Sequence, residues 1–121
     1  TPQDIALLDA RKGIEMFRKV EIPVLGIIEN MSTHVCSKCG HEEAIFGTGG
    51  GQDIAEEYSA GLLAHLPLQM SIRQQADSGK PTVVSEPESA VSGTFREIAR
   101  TIVEKVAETK SSGPRISIVD D

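Results

Sequence analysis

Tryptophan is absent from the 121-residue chain, and one Tyr and three Phe are its entire aromatic content. A core without large rings must be built from Ile, Leu, Val, Ala and Met, a set that suits helices packed on a parallel sheet. Basic residues are also outnumbered: 12 Lys and Arg stand against 18 Asp and Glu, a formal net charge of −6. Such a surface repels phosphate backbones and anionic lipid, so neither nucleic acid nor a membrane surface is an expected partner. No apolar run approaches the roughly 20 residues of a membrane helix, and the N-terminus lacks the basic and apolar regions of a secretory signal. A cytoplasmic chain is expected.

Cysteine is scarce too, and both residues fall in one Cys36-Ser-Lys-Cys39 motif. In a reducing compartment such a pair serves metal or redox chemistry rather than a structural disulfide. The first residue is Thr1 rather than Met and the chain enters a helix almost at once, so a fragment with upstream sequence missing is expected.

What is present reads as an α/β chain. Leu7, Ala10, Ile14 and Phe17 recur at helical spacing over residues 2–20, with Thr1 placed as N-cap and Pro2 as first helical residue. The apolar run 24–28 predicts a strand covered on both faces, and 62–66 a second one. Between them, 52–59 reads as a short helix. Residues 68–76 read as a loop with a helical turn, 80–87 as extended, and 88–108 as a helix with the stripe Val91, Phe95, Ile98, Ile102 and Val106. Helices alternating with strands imply a parallel sheet, and two strands are too few to cover one another, so further strands must come from upstream sequence or a partner. One domain is expected over 1–110, with 31–51 projecting as a metal loop, poorly ordered without metal, and 111–121 as a flexible tail.

Chemistry concentrates in that loop. The two-residue spacer lets both thiolates face one metal, and Gly40 permits a tight turn after Cys39. Metal or cluster ligation leads over a redox dithiol, an inert pair, and a structural zinc site completed by His34 and His41. Two sulfurs do not make a four-thiolate site, so either those histidines or a second chain must complete it. The run Gly47-Thr48-Gly49-Gly50-Gly51 fails as a Walker A loop, because Gln52-Asp53 follows where Lys and a hydroxyl are required, and it reads as a flexible structural turn. Asn30 closes the first strand, where an amide can meet a purine edge or simply turn the chain. Arg73 and Asp77 are spaced as a surface pair.

Taken together, Thr1-Pro-Gln-Asp-Ile-Ala-Leu, Gly26-Ile-Ile-Glu-Asn-Met31, Cys36-Ser-Lys-Cys39, Phe46-Gly-Thr-Gly-Gly-Gly51, Leu66-Pro-Leu68, Ile72-Arg73 and Asp77-Ser-Gly-Lys-Pro81 resemble the Mrp/ApbC family. These are P-loop ATPases of the deviant Walker A group related to MinD. The resemblance implies the C-terminal part of a parallel-sheet P-loop NTPase fold. It also implies a homodimeric carrier that holds a 4Fe-4S cluster between chains and passes it to apo iron-sulfur proteins. Cys36 and Cys39 are then the cluster ligands, Asn30 matches the base-contacting Asn, and Pro67 and Leu68 line the adenine pocket. The family's Gly-Lys-Gly-Gly-Val-Gly-Lys-Ser/Thr loop and Mg2+-linked aspartates are absent. ATP hydrolysis with Mg2+ is therefore implied for a full-length protein, and this chain alone is expected to be inactive.

Overall fold

The computed structural model describes residues 1–111. Helix α1, Asp4–Lys19, carries Asp4 in its first turn and Arg18 and Lys19 in its last, matching the helix dipole at both ends. Its N-cap is Gln3, whose carbonyl accepts from the Ala6 and Leu7 N–H groups. The helix thus starts later than the Thr1-Pro2 signal places it, because Gln3 is still extended, at φ −70° and ψ 134°, where the first helical N–H groups find their acceptor. Leu7 and Ile14 face inward and pack with Ile54, joined by Val24, Ile27 and Tyr58. Ala10 and Phe17, which share the periodic stripe, stay exposed.

Strand β1, Ile27–Glu29, pairs in parallel with β4, Leu62–His65, in the register Ile27↔Leu62, Ile28↔Ala64 and Glu29↔His65. The strand begins later than the apolar run 24–28. Pairing starts at the Ile27 N–H to Gly61 carbonyl bond of 2.8 Å, the point where β4 first runs alongside. Helix α2, Gly50–Glu57, packs on both strands and on α1. Between β1 and α2 lie β2, His34–Val35, and β3, Glu42–Glu43, an antiparallel pair. The loop predicted to be irregular over 31–51 therefore contains a hairpin, and His34 extends the parallel pairing by bridging to Leu68.

Helix α3, Met70–Asp77, is a full eight residues where a single turn is predicted. Helix α4, Thr82–Ser85, replaces the extended segment predicted over 80–87. The correction has a cause in two hydroxyls. Ser85 Oγ donates to the Lys80 carbonyl at 2.6 Å, and the fully buried Ser92 Oγ donates to the Thr82 and Glu86 carbonyls at 3.1 and 2.6 Å, so local bonds close a turn that hydropathy does not announce. Helix α5, Ala90–Ser111, packs against β4 and α4. Ser89 precedes it and its Oγ accepts the Ser92 N–H at 3.2 Å, an N-cap arrangement. Ile98 is its buried anchor. The flexible tail expected over 111–121 lies outside the described residues except for Ser111, the last residue of α5.

Candidate functional site

The two cysteines sit in the turn of the β2–β3 hairpin. Past the Val35↔Glu42 pair, the Cys36 N–H donates to the His41 carbonyl and the Gly40 N–H donates to the Cys36 carbonyl, both at 2.9 Å. Gly40 closes this turn at φ +74°, a conformation that favours a residue without Cβ. Cys36 is half-buried, Cys39 is exposed, and both are free thiols. The N–H groups of Cys39 and Lys38, aided by the Cys39 side chain, donate to Cys36 Sγ and hold its thiol below the ordinary cysteine range, against the opposing effects of burial and the Glu43 charge. A thiolate stabilised by backbone donors is the form that ligates metal.

The base of the hairpin is fixed to the sheet. Ser32 N–H donates to the Leu66 carbonyl (2.9 Å), Leu68 N–H to the Thr33 carbonyl (2.7 Å) and Val35 N–H to the Leu68 carbonyl (3.1 Å). Residues 29–35 therefore run beside 66–68, and the segment containing Asn30 lies next to Pro67 and Leu68 at the carboxyl ends of the parallel strands. Open α/β sheets bind ligands at such ends. Asn30 is exposed and its Oδ1 accepts from the Met31 N–H at 2.8 Å, while Met31 itself takes φ +55°. Pro67 and Leu68 are half-buried. Beside the hairpin, Val35, Cys36, Gln69, Met70, Glu86 and Val91 line part of a cleft of about 450 Å³.

The histidines do not gather around the thiols. His41 supplies its backbone to the turn and is exposed, and His34 is committed to the β-ladder. Among the described residues no group of three or more His, Cys, Asp or Glu side chains is arranged to hold one ion. Arg73 and Asp77 form the exposed pair read from their spacing, at 2.9 Å.

The glycine run forms the structural turn read there and leads directly into α2. Gly47 and Gly49 take φ of +94° and +82°. Gly50 and Gly51 serve close approach: a Cβ on Gly50 would stand 2.7 Å from Leu7 Cδ1, and one on Gly51 2.7 Å from Glu29 Oε2.

One cluster escaped sequence reasoning. Glu29, at the end of β1, is only 4% exposed. Its Oε1 accepts from Ser32 Oγ at 2.5 Å and faces His65 Nδ1 at 3.1 Å, and its Oε2 accepts the Gly51 N–H at 2.7 Å. Burial pushes the carboxyl up, but the bonds from Ser32, Gly51 and His65 together outweigh it and leave the group below the ordinary glutamate range. The available signal was an acidic residue directly after an apolar strand, where a buried charge requires several donors.

A family model described as ParA: NUBPL iron-transfer P-loop NTPase matches residues 1–103. An iron-sulfur cluster carrier protein of Pseudomonas fragi is 59% identical over 101 residues, covering 84% of this chain and 35% of the relative. The carrier protein of the same description from Salmonella typhimurium is 63% identical over 99 residues, covering 82% of this chain and 27% of the relative. The iron-sulfur cluster transfer protein NUBPL of Mus musculus is 46% identical over 106 residues, covering 88% of this chain and 33% of the relative. The chain thus spans between 27% and 35% of the length of these relatives. Among solved structures, the nucleotide-binding protein from Archaeoglobus fulgidus in complex with ADP aligns with a TM-score of 0.56 and 30% identity, over 74% of this chain and 35% of that one.

Proposed function

Because the chain belongs to the ParA/NUBPL family of iron-transfer P-loop NTPases, we propose that it carries the cluster-holding and base-binding portion of an iron-sulfur carrier. The observation that carries this is the Cys36–Cys39 turn, one half-buried and one exposed free thiol, the first of whose sulfurs already receives backbone N–H donors. A 4Fe-4S cluster takes four cysteine ligands, and each chain offers two. A twofold dimer supplies the other two, with the cluster as cargo across the axis, destined for apo iron-sulfur proteins. The zinc and dithiol alternatives lack comparable support: His34 and His41 are not grouped with the thiols, and the relatives are named for iron-sulfur transfer.

The nucleotide part of the proposal assigns Asn30, Pro67 and Leu68 to the adenine base, supported by their place at the strand ends and by the ADP complex of the structural relative. Phosphate binding, Mg2+ and hydrolysis are assigned to a longer protein, since the Lys and hydroxyl they require are not in the glycine run here. A cytoplasmic setting completes the proposal, since both cysteines fall in one ligand-spaced pair rather than in a disulfide framework. Among the described residues no helix is long and apolar enough to cross a membrane.

Anaerobic reconstitution with iron and sulfide tests the proposal. A broad absorption at about 400 nm, with four iron per two chains and an upward, concentration-dependent shift in mass, is expected. Iron held by a monomer would overturn the bridging dimer, and zinc retained in place of a cluster would overturn the carrier assignment.

A further inference from the structure

Glu29 stands where both ends of the cysteine-bearing excursion return to the sheet. Ser32 lies at its start and Gly51 at its finish, and each is bound by a different oxygen of the same carboxylate, at 2.5 and 2.7 Å. The start has further anchors in the backbone bonds to Leu66 and Leu68. At the finish, the Gly51 N–H belongs to the first turn of α2, where it has no intrahelical acceptor and where a negative charge is favoured. The carboxylate also keeps Gly51 a glycine, since any Cβ there would strike it. On its remaining side His65 Nδ1 faces Oε1, and Ser32 Oγ lies 3.1 Å from the same ring nitrogen. Glu29 is thus buried, charged and bonded from three separate chain segments, an expensive arrangement for a residue that merely ends a strand.

We propose that Glu29 is a positioning residue that clasps the two ends of the cysteine loop, holding the Cys36–Cys39 turn in one place relative to the sheet end that contains Asn30. Its link to cargo rests on the cluster-carrier proposal above. The clasp itself does not. A loop of this length closed by one carboxylate presents its two thiols at a fixed height and angle, which a cluster shared between two chains requires of each partner.

Glu29→Gln provides the test: the amide keeps the volume but replaces two charge-assisted bonds by neutral ones. It also obliges the Ser32 hydroxyl to reverse and accept from the amide NH2, so the clasp weakens at both ends. In metal-free protein, hydrogen exchange at the bonded amides of Gly51 and Cys36 should accelerate about ten-fold or more, while amides around Ile98 in α5 keep their wild-type rates. In reconstituted protein, loss of the visible band to an iron chelator should accelerate by a similar factor, with cluster content on loading close to wild type. Ser32→Ala removes one bond and leaves the other, so it decides the matter if Glu29→Gln fails to fold; it should raise both rates by a smaller factor. Unchanged exchange at Gly51 and Cys36 in a folded variant would overturn the clasp. Accelerated exchange in protein that never takes up a cluster would uphold the clasp and sink the carrier proposal instead.

Discussion

Cys36 and His41 are joined through their backbones, the Cys36 N–H donating to the His41 carbonyl at 2.9 Å across the hairpin turn. The imidazole has no part in that bond. His41 thus lends its carbonyl to the turn, two residues after Cys39, and its exposed ring is left for the variants below to test.

Replacing either sulfur should separate sharply from replacing either ring. Cys36→Ser or Cys39→Ser should abolish reconstituted colour, because a hydroxyl does not replace a thiolate on iron. His34→Ala and His41→Ala should retain most of it, within about two-fold, since neither ring is grouped with the thiols. Iron and sulfide analysis of the four variants checks this, and loss of the cluster in a His variant alone would point to a mixed ligand set.

No magnesium-dependent ATP turnover is expected from this chain. Phosphoryl transfer depends on a phosphate-cradling loop, its Lys and a held metal ion, and the glycine run here is instead filled by Leu7, Pro2 and Glu29 contacts. Phosphate release measured on protein purified to constant specific activity decides the point, and turnover that follows the protein through every step would contradict it.

The sequence exposed the larger features well and the hydroxyl-driven ones poorly. The α1, β1, β4 and α5 elements were legible because Leu7 and Ile14, Ile27, Leu66 and Ile98 mark faces that are buried or packed against the core. The thiol pair was legible because its spacing is itself a chemical statement. Helix α4 was hidden because it depends on Ser85 and Ser92 bonds to carbonyls, some of them ten residues away. The hairpin was hidden because Glu42 and Glu43 are exposed and carry no strand-like alternation. Glu29 was hidden for a different reason: its donors come from Ser32, Gly51 and His65, which only the fold brings together.

Acid should weaken the fold partly through Glu29. Its folded pKa lies below the ordinary value, so its contribution is fully present above the unfolded pKa and is lost as pH falls through the folded one. Urea midpoints of the wild type should fall from about pH 5 downward, and those of Glu29→Gln should start lower and fall less steeply over the same window. Parallel acid limbs for the two proteins would refute this assignment.

Two glycines should respond to alanine with opposite signs. Gly51→Ala places a Cβ against a buried carboxylate and should cost about 1–3 kcal/mol. Gly13→Ala, in the middle of α1 with nothing within 4 Å of the added carbon, should stabilise by roughly 0.5–1 kcal/mol. Thermal midpoints measured side by side test the pair, and a stabilised Gly51→Ala would show that Glu29 moves aside freely.

Helix α1 also carries Ile5, Leu8, Met16 and Phe17 outward, and Val20, Ile22 and Ile28 continue the apolar surface toward β1. Apolar area that is wet in the folded chain contributes nothing to the change in hydration on unfolding. The heat capacity increment and the denaturant slope should therefore both fall below what a chain of this length ordinarily gives. A second copy or another domain seated on that face would restore them, so calorimetry reads out how much of this surface is covered in solution without reference to iron at all.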